Sequence, residues 1–457
     1  MNLVFTYVFD DLFINSFDFS KLSSLSKSLD SETLWEMAYE ENIGIEGIAT
    51  WIYNPARNTK WTTKHLFFYD IFDDNNIVLD KYKDEPLFYQ IDMFGGSDLS
   101  FPGDNRNTTI DLIPYRVIDA LKKNKNFVIH IDYCWEGIIE QIPLKMLHTK
   151  LHEYNIPTKK CIFSFAGYNQ KEWYDTFCKK FNISQKIKFN HNHWVWKTKG
   201  EEYSKYKKAE EFHKIHLDYK IEPKKYDFNC LNRRLRTHRL YILAKLNQLN
   251  LIDNNIVTYD FTINDNQKHL KEIPNIHENE LLDFTELKKY ILDLQINNDK
   301  KFYDFEDLES LYGIMYEDAS VYEDSMFSFI SETSFLEDEF YISEKVVKAL
   351  GQNHPFIVFG NFGTLKELKR MGFETFEPFI DESYDLEPNI QKRMDMVFDE
   401  VIKLVNKTEE EKLIWMKNIK PILEKNYKVL MNLFYNYKIS KRENQNNLKR
   451  LASNYLI

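Results

Sequence analysis

The sequence predicts an α/β protein built from two domains. Its 457 residues are too many for one ordinary hydrophobic core, because a domain usually holds about 100–200 residues. Hydrophobic residues make up 43% of the chain, which excludes an intrinsically disordered protein. Along most of its length, short apolar runs alternate with helical periodicity. This alternation is the pattern of parallel strands joined by crossover helices.

Three strands and two helices are predicted in the first half of the chain. Residues 127–133, FVIHIDY, form an apolar run that ends in polar residues, as a buried parallel strand does. Helical spacing then continues to Leu151. The next predicted elements are a strand at 161–167, a helix at 168–180 and a strand at 187–191.

A charged segment, residues 200–225, separates the two halves. It is poor in large aliphatic residues, which favours a solvated linker or surface helix, with a binding arm as the alternative. We therefore predict an N-terminal domain at residues 1–222, a second domain at 223–400 and C-terminal helices at 401–457.

The second half of the chain repeats the alternation of strand and helix. Its predicted elements are, in order, a strand at 226–231, a helix at 237–249, a strand at 327–332, a helix from Glu344, a strand at 355–360 and a helix at 364–371. After about residue 390 the periodicity is helical to the end.

Charge and cysteine content narrow the class of protein. Lys and Arg total 60 against 71 Asp and Glu, so the net charge is −11. This balance disfavours a protein whose main partner is nucleic acid. Four cysteines without a CxxC pair are typical of a reduced protein. Because no stretch resembles a membrane span or a signal peptide, we expect a cytoplasmic protein without a membrane span.

Cations crowd a strand-to-helix junction at residues 228–246, FNCLNRRLRTHRLYILAKL. In open α/β sheets, ligands bind beyond the carboxyl ends of strands, where helix N-termini present N–H groups to anions. Arginine adds forked donors that suit phosphate, and Thr237 is the expected N-cap. A surface patch of salt bridges is the alternative. The predicted phosphate site contains Asn232, Arg233, Arg234, Arg236, His238 and Arg239.

A second feature is the helix start at Ser343, Glu344 and Lys345, followed by a glycine turn at 360–363. A nucleotide needs a carboxylate for its ribose hydroxyls and a cation for its phosphates, and Glu344 and Lys345 supply both. Dipole complementarity and ordinary loop chemistry are the alternatives. We assign Glu332 and Asn361 to the same nucleotide site.

Asp132 and Glu136 straddle the end of the strand at 127–133. A carboxylate beside Trp135 can have a raised pKa and act as a general base. The alternative is an Asp helix cap with Glu in the first turn. We predict that one of these two carboxylates is catalytic.

The sequence patterns of several common binding sites are absent from this chain. The chain contains no GxxxxGK[ST] phosphate loop, no GxGxxG fingerprint and no D-x-D. His191 and His193 alternate along a strand, with His213 and His216 further on, but no cysteine joins them. We therefore predict no metal site.

Four segments together resemble a group of glycosyltransferase-like proteins found in phages, large viruses and bacteria. They are DYCWEG, LNRRLRTHR, SFISETSF and the run from ISEK through PFIVFG to GTLKELKRMGFETF. The ISEK segment is also similar to the donor-site segment of α-1,3-fucosyltransferases. The resemblance covers roughly residues 127–385. It implies a GT-B fold, with two Rossmann-like domains facing across a cleft and extra C-terminal helices.

The resemblance also implies an activity, an inverting, metal-independent transfer of a sugar from a nucleotide-diphosphate donor. Glu344 would hold the ribose, Lys345 and either Arg233 or Arg236 would meet the diphosphate, and Glu136 would be the base. The sugar nucleotide is a co-substrate, and no further cofactor is implied. Val346–Val347 departs from the bulkier residues common after the EK pair.

The acceptor stays open, with a glycan, a protein or a modified DNA base as the possibilities. A transferase that acts on modified DNA bases rests on analogy of fold alone. The other alternative is a GT-B-like viral or interaction protein that binds phosphorylated ligands without catalysis.

Overall fold

The structure is a computed structural model of the chain. It describes residues 4–6, 51–54, 59–65, 72–73, 76–77, 87–93, 100–101, 104–108, 115–125, 127–133, 141–165, 167, 170–191, 219–232, 236–261, 281–297, 300–301, 320–336, 340–435 and 450–451. The chain divides into two compact units. Unit 1 is Met1–Trp194 with Lys438–Ile457, and unit 2 is Val195–Tyr437. The domain ranges 1–222, 223–400 and 401–457 stay predictions.

Unit 1 is built around a largely parallel sheet. Its strands are β1 (Val4–Thr6), β2 (Trp51–Asn54), β3 (Thr59–His65), β4 (Phe72–Asp73), β5 (Asn76–Ile77), β6 (Leu87–Met93), β7 (Ser100–Phe101), β8 (Asp104–Thr108), β9 (Phe127–Tyr133), β10 (Cys161–Phe165) and β11 (Lys188–His191). Its helices are α1 (Tyr115–Lys123), α2 (Gln141–Glu153) and α3 (Gln170–Lys180), and Thr158–Lys160 is a 3-10 turn.

The main sheet of unit 1 has the order β11-β10-β9-β6-β3-β2, with β1 also paired to β6. Strands β1, β6, β9, β10 and β11 pair in parallel, whereas β2 and β3 pair antiparallel. The strands predicted at 127–133, 161–167 and 187–191 and the helix predicted at 168–180 are confirmed.

The core of unit 1 forms because β9 and β10 are apolar enough to be buried. Phe127, Ile129 and Phe163 lie in one buried cluster with Leu144 and Leu151 of α2. The apolar residues of α2 recur at helical spacing, so one face of the helix covers the sheet.

A buried polar row crosses three strands of the same sheet. His130 Nε2 on β9 lies 2.6 Å from Ser164 Oγ on β10, and Asn190 Nδ2 on β11 donates to the same oxygen at 2.8 Å. Because buried polar groups need partners, this row favours one register of the three strands.

Unit 2 contains a second, smaller sheet and most of the helices described. Its elements are β12 (Tyr226–Leu231), α4 (Thr237–Gln248), β13 (Ile256–Asp260), α5 (Lys288–Asn297), β14 (Lys300–Lys301), α6 (Ser320–Glu323), β15 (Ser325–Ser331), α7 (Glu344–Gly351), β16 (Phe356–Phe359), α8 (Thr364–Arg370), the 3-10 helix Glu382–Leu386, α9 (Ile390–Val405) and α10 (Glu409–Tyr435).

The order of the unit 2 sheet is β14-β13-β12-β15-β16. Strands β13, β12, β15 and β16 pair in parallel, and β14 pairs antiparallel with β13. The chain leaves β12 for β13 on one side and later enters β15 on the other side. The strand order therefore reverses between β12 and β15, and the loops after these two strands diverge there. Such a switch point is where ligands bind in open α/β sheets.

The end of the predicted linker packs on unit 2. The structure describes residues 219–225 of that segment, and the rest of it lies outside the described residues. Tyr219 is buried, and its hydroxyl donates to the Met326 carbonyl at 2.8 Å. The last part of the segment is therefore anchored to β15 rather than fully solvated.

Helix α9 is hydrogen-bonded to the loop that follows β15. Asn389 caps the helix by accepting a bond from Lys392 N at 2.8 Å. The buried Arg393 donates to the carbonyls of Phe335 at 2.9 Å and Glu387 at 3.1 Å. These bonds hold the loop in place. Among the residues described, no helix has the length and apolar character needed to cross a membrane.

Candidate functional site

The candidate site lies at the switch point of the unit 2 sheet. The N-terminus of α4 follows β12, and the N-terminus of α7 follows β15 through the loop 332–343. Both helices start at the edge of the sheet where the parallel strands end. The topology therefore brings two of the three segments singled out in the sequence to one edge.

Helix α4 begins at Thr237, so Arg236 and not Thr237 occupies the N-cap position. The prediction that Thr237 caps this helix is wrong, because the extended backbone of Arg236 already supplies the carbonyl bonded by Leu240 N at 2.9 Å. In the described part of the chain, no side chain caps this helix start. The helix starts at the carboxyl edge of the sheet, where helix N–H groups can bind an anion.

Basic side chains of α4 bind backbone carbonyls at the end of β15. Arg236 Nη1 donates to Thr333 O at 2.5 Å, and His238 Nε2 donates to Glu332 O at 2.8 Å. Arg239 Nη2 donates to the carbonyls of Ser331 at 3.3 Å and Glu332 at 3.1 Å. These bonds join the start of α4 to the end of β15.

The charge states in this group differ. Burial, together with the charge of Arg239, lowers the pKa of His238 well below its usual value, so this imidazole is neutral. Burial and then the charge of Arg236 lower the pKa of Arg239 to about 10. Arg239 therefore stays cationic at neutral pH.

Glu332 ties the end of β15 to the start of α7. Its side chain is fully buried, and its two oxygens accept bonds from Ser343 N at 3.1 Å and Thr333 N at 3.0 Å. Burial raises the pKa of this carboxyl, and the Lys345 charge opposes the rise. Glu332 thus positions the α7 N-terminus.

Ser343 is the N-cap of α7, and its hydroxyl oxygen accepts a bond from Lys345 N at 3.2 Å. The Lys345 ammonium donates to Glu344 Oε1 at 2.9 Å, Thr333 Oγ1 at 3.1 Å and Ser343 Oγ at 3.3 Å. The side chains of Lys345 and Glu344 are 22% and 33% exposed. A half-buried charged pair therefore lies at the start of α7.

Lys345 determines the charge of Glu344. Burial by itself raises the pKa of Glu344, but the adjacent Lys345 ammonium overcomes this effect and the pKa falls to about 2. Burial lowers the pKa of Lys345, while Glu344 acts in the opposite direction. Glu344 is therefore a carboxylate at neutral pH and can accept bonds from hydroxyl groups.

Two asparagines flank this group. Asn361 Oδ1 accepts from Tyr341 N at 3.2 Å, and its Nδ2 donates to Leu336 O at 2.6 Å. Asn232 Nδ2 donates to Cys230 Sγ at 3.2 Å. Within the described residues, the buried Oδ1 of Asn232 has no hydrogen-bond partner. That atom is an available acceptor at the end of β12.

The structure gathers most of the predicted donor-site residues at one edge. The gathered residues are Asn232, Arg236, Arg239, Glu332, Ser343, Glu344, Lys345 and Asn361. Arg233 and Arg234 lie outside the described residues. Thr333 was missed from the sequence, because its role follows only from tertiary contacts with Arg236 and Lys345.

The predicted catalytic carboxylates belong to unit 1. Asp132 lies in β9, where its register partners are Asp92 on β6 and Ser164 on β10. Glu136 and Trp135 lie outside the described residues. The roles of both carboxylates stay predictions.

No cluster of metal-ligating residues occurs among the residues that the structure describes. His191 is the last residue of β11, and His193, His213 and His216 lie outside the described ranges. The prediction of a metal-independent site remains a prediction.

The fold and the site together define an α/β protein that has an ion pair, Glu344 and Lys345, near the switch point of a parallel sheet. No family model, no curated protein and no solved structure matches the chain. The resemblance to glycosyltransferase-like proteins therefore stays a hypothesis.

Proposed function

We propose that the protein is a glycosyltransferase that moves a sugar from a nucleotide-diphosphate donor to an acceptor hydroxyl, with inversion and without a metal ion. The observation that carries the proposal is the ion pair of Glu344 and Lys345 at the start of α7, beside Arg236. In this proposal the two units correspond to the Rossmann-like domains of a GT-B fold.

The donor contacts follow from the charges at the switch point. The Glu344 carboxylate accepts bonds from the ribose hydroxyls, and Lys345 and Arg236 meet the diphosphate. The uncapped N–H groups of α4 add donors for the same anion. Fixed cations at this position stabilise the negative charge that grows on the leaving diphosphate.

The acceptor contacts are assigned to unit 1. An inverting transfer needs one carboxylate to take the proton of the acceptor hydroxyl, and Glu136 or Asp132 is the proposed base. The acceptor is a glycan, a protein or a modified base.

Thermal unfolding in the presence of nucleotides tests the proposal. The full chain is heated with GDP, UDP, TDP or CMP and with the common sugar conjugates of each, first without added metal and then with EDTA. A ligand at 100 times its Kd adds roughly 2.7 kcal/mol to the free energy of unfolding. We expect one diphosphate to raise the Tm, and EDTA to leave the shift unchanged.

Three outcomes would contradict the proposal. If no nucleotide raises the Tm, the donor site is wrong and the chain is better tested as a structural or interaction protein. If EDTA abolishes the shift, the metal-independent mechanism is wrong. A Tm shift without any release of sugar from the donor would favour a non-catalytic binding protein.

A further inference from the structure

One aromatic side chain stands out at the carboxyl edge of the unit 2 sheet. Phe362 is 40% exposed, and among the residues whose side chains the structure describes it is the one exposed aromatic residue. It lies in the turn 360–363, between β16 and α8. An exposed aromatic ring offers an apolar face that a flat ligand can cover.

The turn holds Phe362 in a fixed place. Both polar atoms of the Asn361 side chain are hydrogen-bonded. Its Oδ1 accepts from Tyr341 N, and its Nδ2 donates to Leu336 O. Gly363 has a φ of 82°, a conformation that favours glycine, and its N–H donates to Asp385 O at 2.8 Å. The ring is therefore presented by a pre-organised backbone, which lowers the entropy cost of binding.

The turn also adjoins the candidate donor site. Glu332 N donates to Phe359 O at 2.9 Å, so the end of β15 is bonded to the end of β16. A Cβ atom built on Gly360 would lie 3.2 Å from Glu332 Cγ. Glu332 in turn holds Ser343 N at the start of α7. Glu332 therefore contacts both the residues before Phe362 and the helix start that carries Glu344 and Lys345.

A second exposed apolar side chain belongs to a segment that is bonded to this turn. Leu386 is 54% exposed and directly follows Asp385, whose carbonyl accepts the bond from Gly363 N. A flat, weakly polar group covers an exposed aromatic ring better than a phosphate does. Nucleobases have this character, since each presents a π-face that stacks on aromatic rings.

We infer that Phe362 is the stacking surface for the base of the nucleotide whose ribose and phosphates lie at Glu344, Lys345 and Arg236. The inference rests on the proposed function and extends it to the base. Stacking is tolerant of base identity, so Phe362 adds affinity for every nucleoside diphosphate and does not by itself select one.

Calorimetric titration of Phe362 variants tests the inference. The ligands are GDP, UDP, ADP, CDP and inorganic pyrophosphate, which carries the phosphates without a base. We expect Phe362→Ala to weaken the tightest nucleoside diphosphate about tenfold or more and to leave pyrophosphate affinity unchanged. Phe362→Trp keeps a ring and is expected to retain the affinity. Leu292→Ala, at a side chain 54% exposed on α5, is the matched control.

The outcomes separate this inference from the proposed function. If wild-type protein binds a nucleoside diphosphate and Phe362→Ala binds it equally well, the stacking role is wrong and the donor site stands. Equal losses of pyrophosphate and nucleotide affinity would also overturn it, because the residue would then act on the phosphate site. If wild-type protein binds neither ligand, both the inference and the proposed function fail.

Discussion

Gly360 and Glu332 approach so closely that a Cβ atom on Gly360 would press against the Glu332 side chain. A Cβ atom at Gly360 would lie 3.2 Å from both Cβ and Cγ of Glu332 and 3.1 Å from Thr364 Oγ1. These distances are tighter than ordinary van der Waals contact. The glycine therefore allows the end of β16 to lie directly beside Glu332. The carboxylate of Glu332 accepts the bond from Ser343 N at the start of α7.

Gly360→Ala is expected to destabilise the protein by about 1–3 kcal/mol, because the added methyl group overpacks this contact. Chemical denaturation measures the change. Gly363→Ala is the comparison, since space around Gly363 is open and its cost of about 1–2 kcal/mol comes from the positive φ alone. Gly363→Asn should then lose less than Gly363→Ala, whereas a Gly360→Ala protein as stable as wild type would contradict the packing argument.

Glu332→Ala is expected to lower the free energy of unfolding by about 1–3 kcal/mol for each donor left unpaired, here Thr333 N and Ser343 N. Glu332→Gln keeps an acceptor oxygen in the same volume and should lose less. Urea unfolding of the three proteins gives the order of stability. Equal stability of Glu332→Ala and wild type would show that the two N–H groups find other partners.

Lys345→Met is expected to raise the pKa of Glu344 from about 2, because burial, which acts to raise it, is then opposed more weakly. Titration of labelled carboxyl groups by NMR measures the pKa. The charge of Lys348 lowers the pKa of Glu344 less than that of Lys345 does. In the Lys348→Met protein the pKa of Glu344 should therefore rise by a smaller amount. An unchanged pKa in the Lys345 variant would mean that the ion pair is not formed in solution.

Glu382 is expected to make stability depend on pH. Burial raises its pKa from 4.5 to about 6, against the bonds from Thr375 Oγ1 and Phe376 N. Since the folded state binds this proton more tightly than the unfolded state, the free energy of unfolding falls as pH rises from 4.5 to 6. The complete loss, from well below pH 4.5 to well above pH 6, is about 2 kcal/mol.

Comparison with Glu382→Gln isolates the effect of this carboxyl. The variant cannot titrate, so its stability should fall less between pH 4.5 and 6.5 in urea unfolding. Glu377→Gln, at an exposed carboxylate of the same segment, is the matched control. Parallel pH profiles for wild type and Glu382→Gln would contradict the raised pKa.

Variants at Arg236 and Glu136 are expected to have different defects. The Arg236 variant should lose donor affinity, and the Glu136 variant should lose turnover. Arg236→Ala should weaken nucleotide affinity, because it removes a cation from the proposed diphosphate site. Lys417→Ala, on the exposed face of α10, is its control. Glu136→Gln should bind the donor normally and release its sugar more slowly. Calorimetry and an assay for slow hydrolysis of the sugar nucleotide measure the two effects. Wild-type hydrolysis by Glu136→Gln would exclude Glu136 as the base.

The central strands could be predicted from the sequence because parallel strands buried on both faces are continuous apolar runs. Phe127–Tyr133, Cys161–Phe165 and Phe356–Phe359 are of this kind. Strand β14 is only two lysines held by pairing with β13, and β3 is the polar run TKWTTKH. Strand β14 lies at the edge of its sheet, and β3 lies between β6 and β2. Both strands depend on their partners, so the local pattern does not reveal them.

The residue types of the candidate site were evident from the sequence, but not how they are bonded. Arginines at a strand-to-helix junction suggested a phosphate site, yet Arg239 donates to carbonyls that lie about ninety residues further along the chain. The N-cap of α4 differs by one residue from the prediction because the backbone of Arg236, not a side chain, sets the helix start. Contacts of this kind depend on the assembled sheet.

The reversal of strand order also has a consequence for folding. Strands β12 and β15 are neighbours, although Tyr226 and its register partner Ser325 lie about a hundred residues apart in the sequence. Contacts at such separation form late, because a long loop must close first. A chain that ends before β15 lacks one side of the site. Binding capacity should therefore arise together with the complete unit 2 sheet, and a bound ligand should stabilise that unit as a whole.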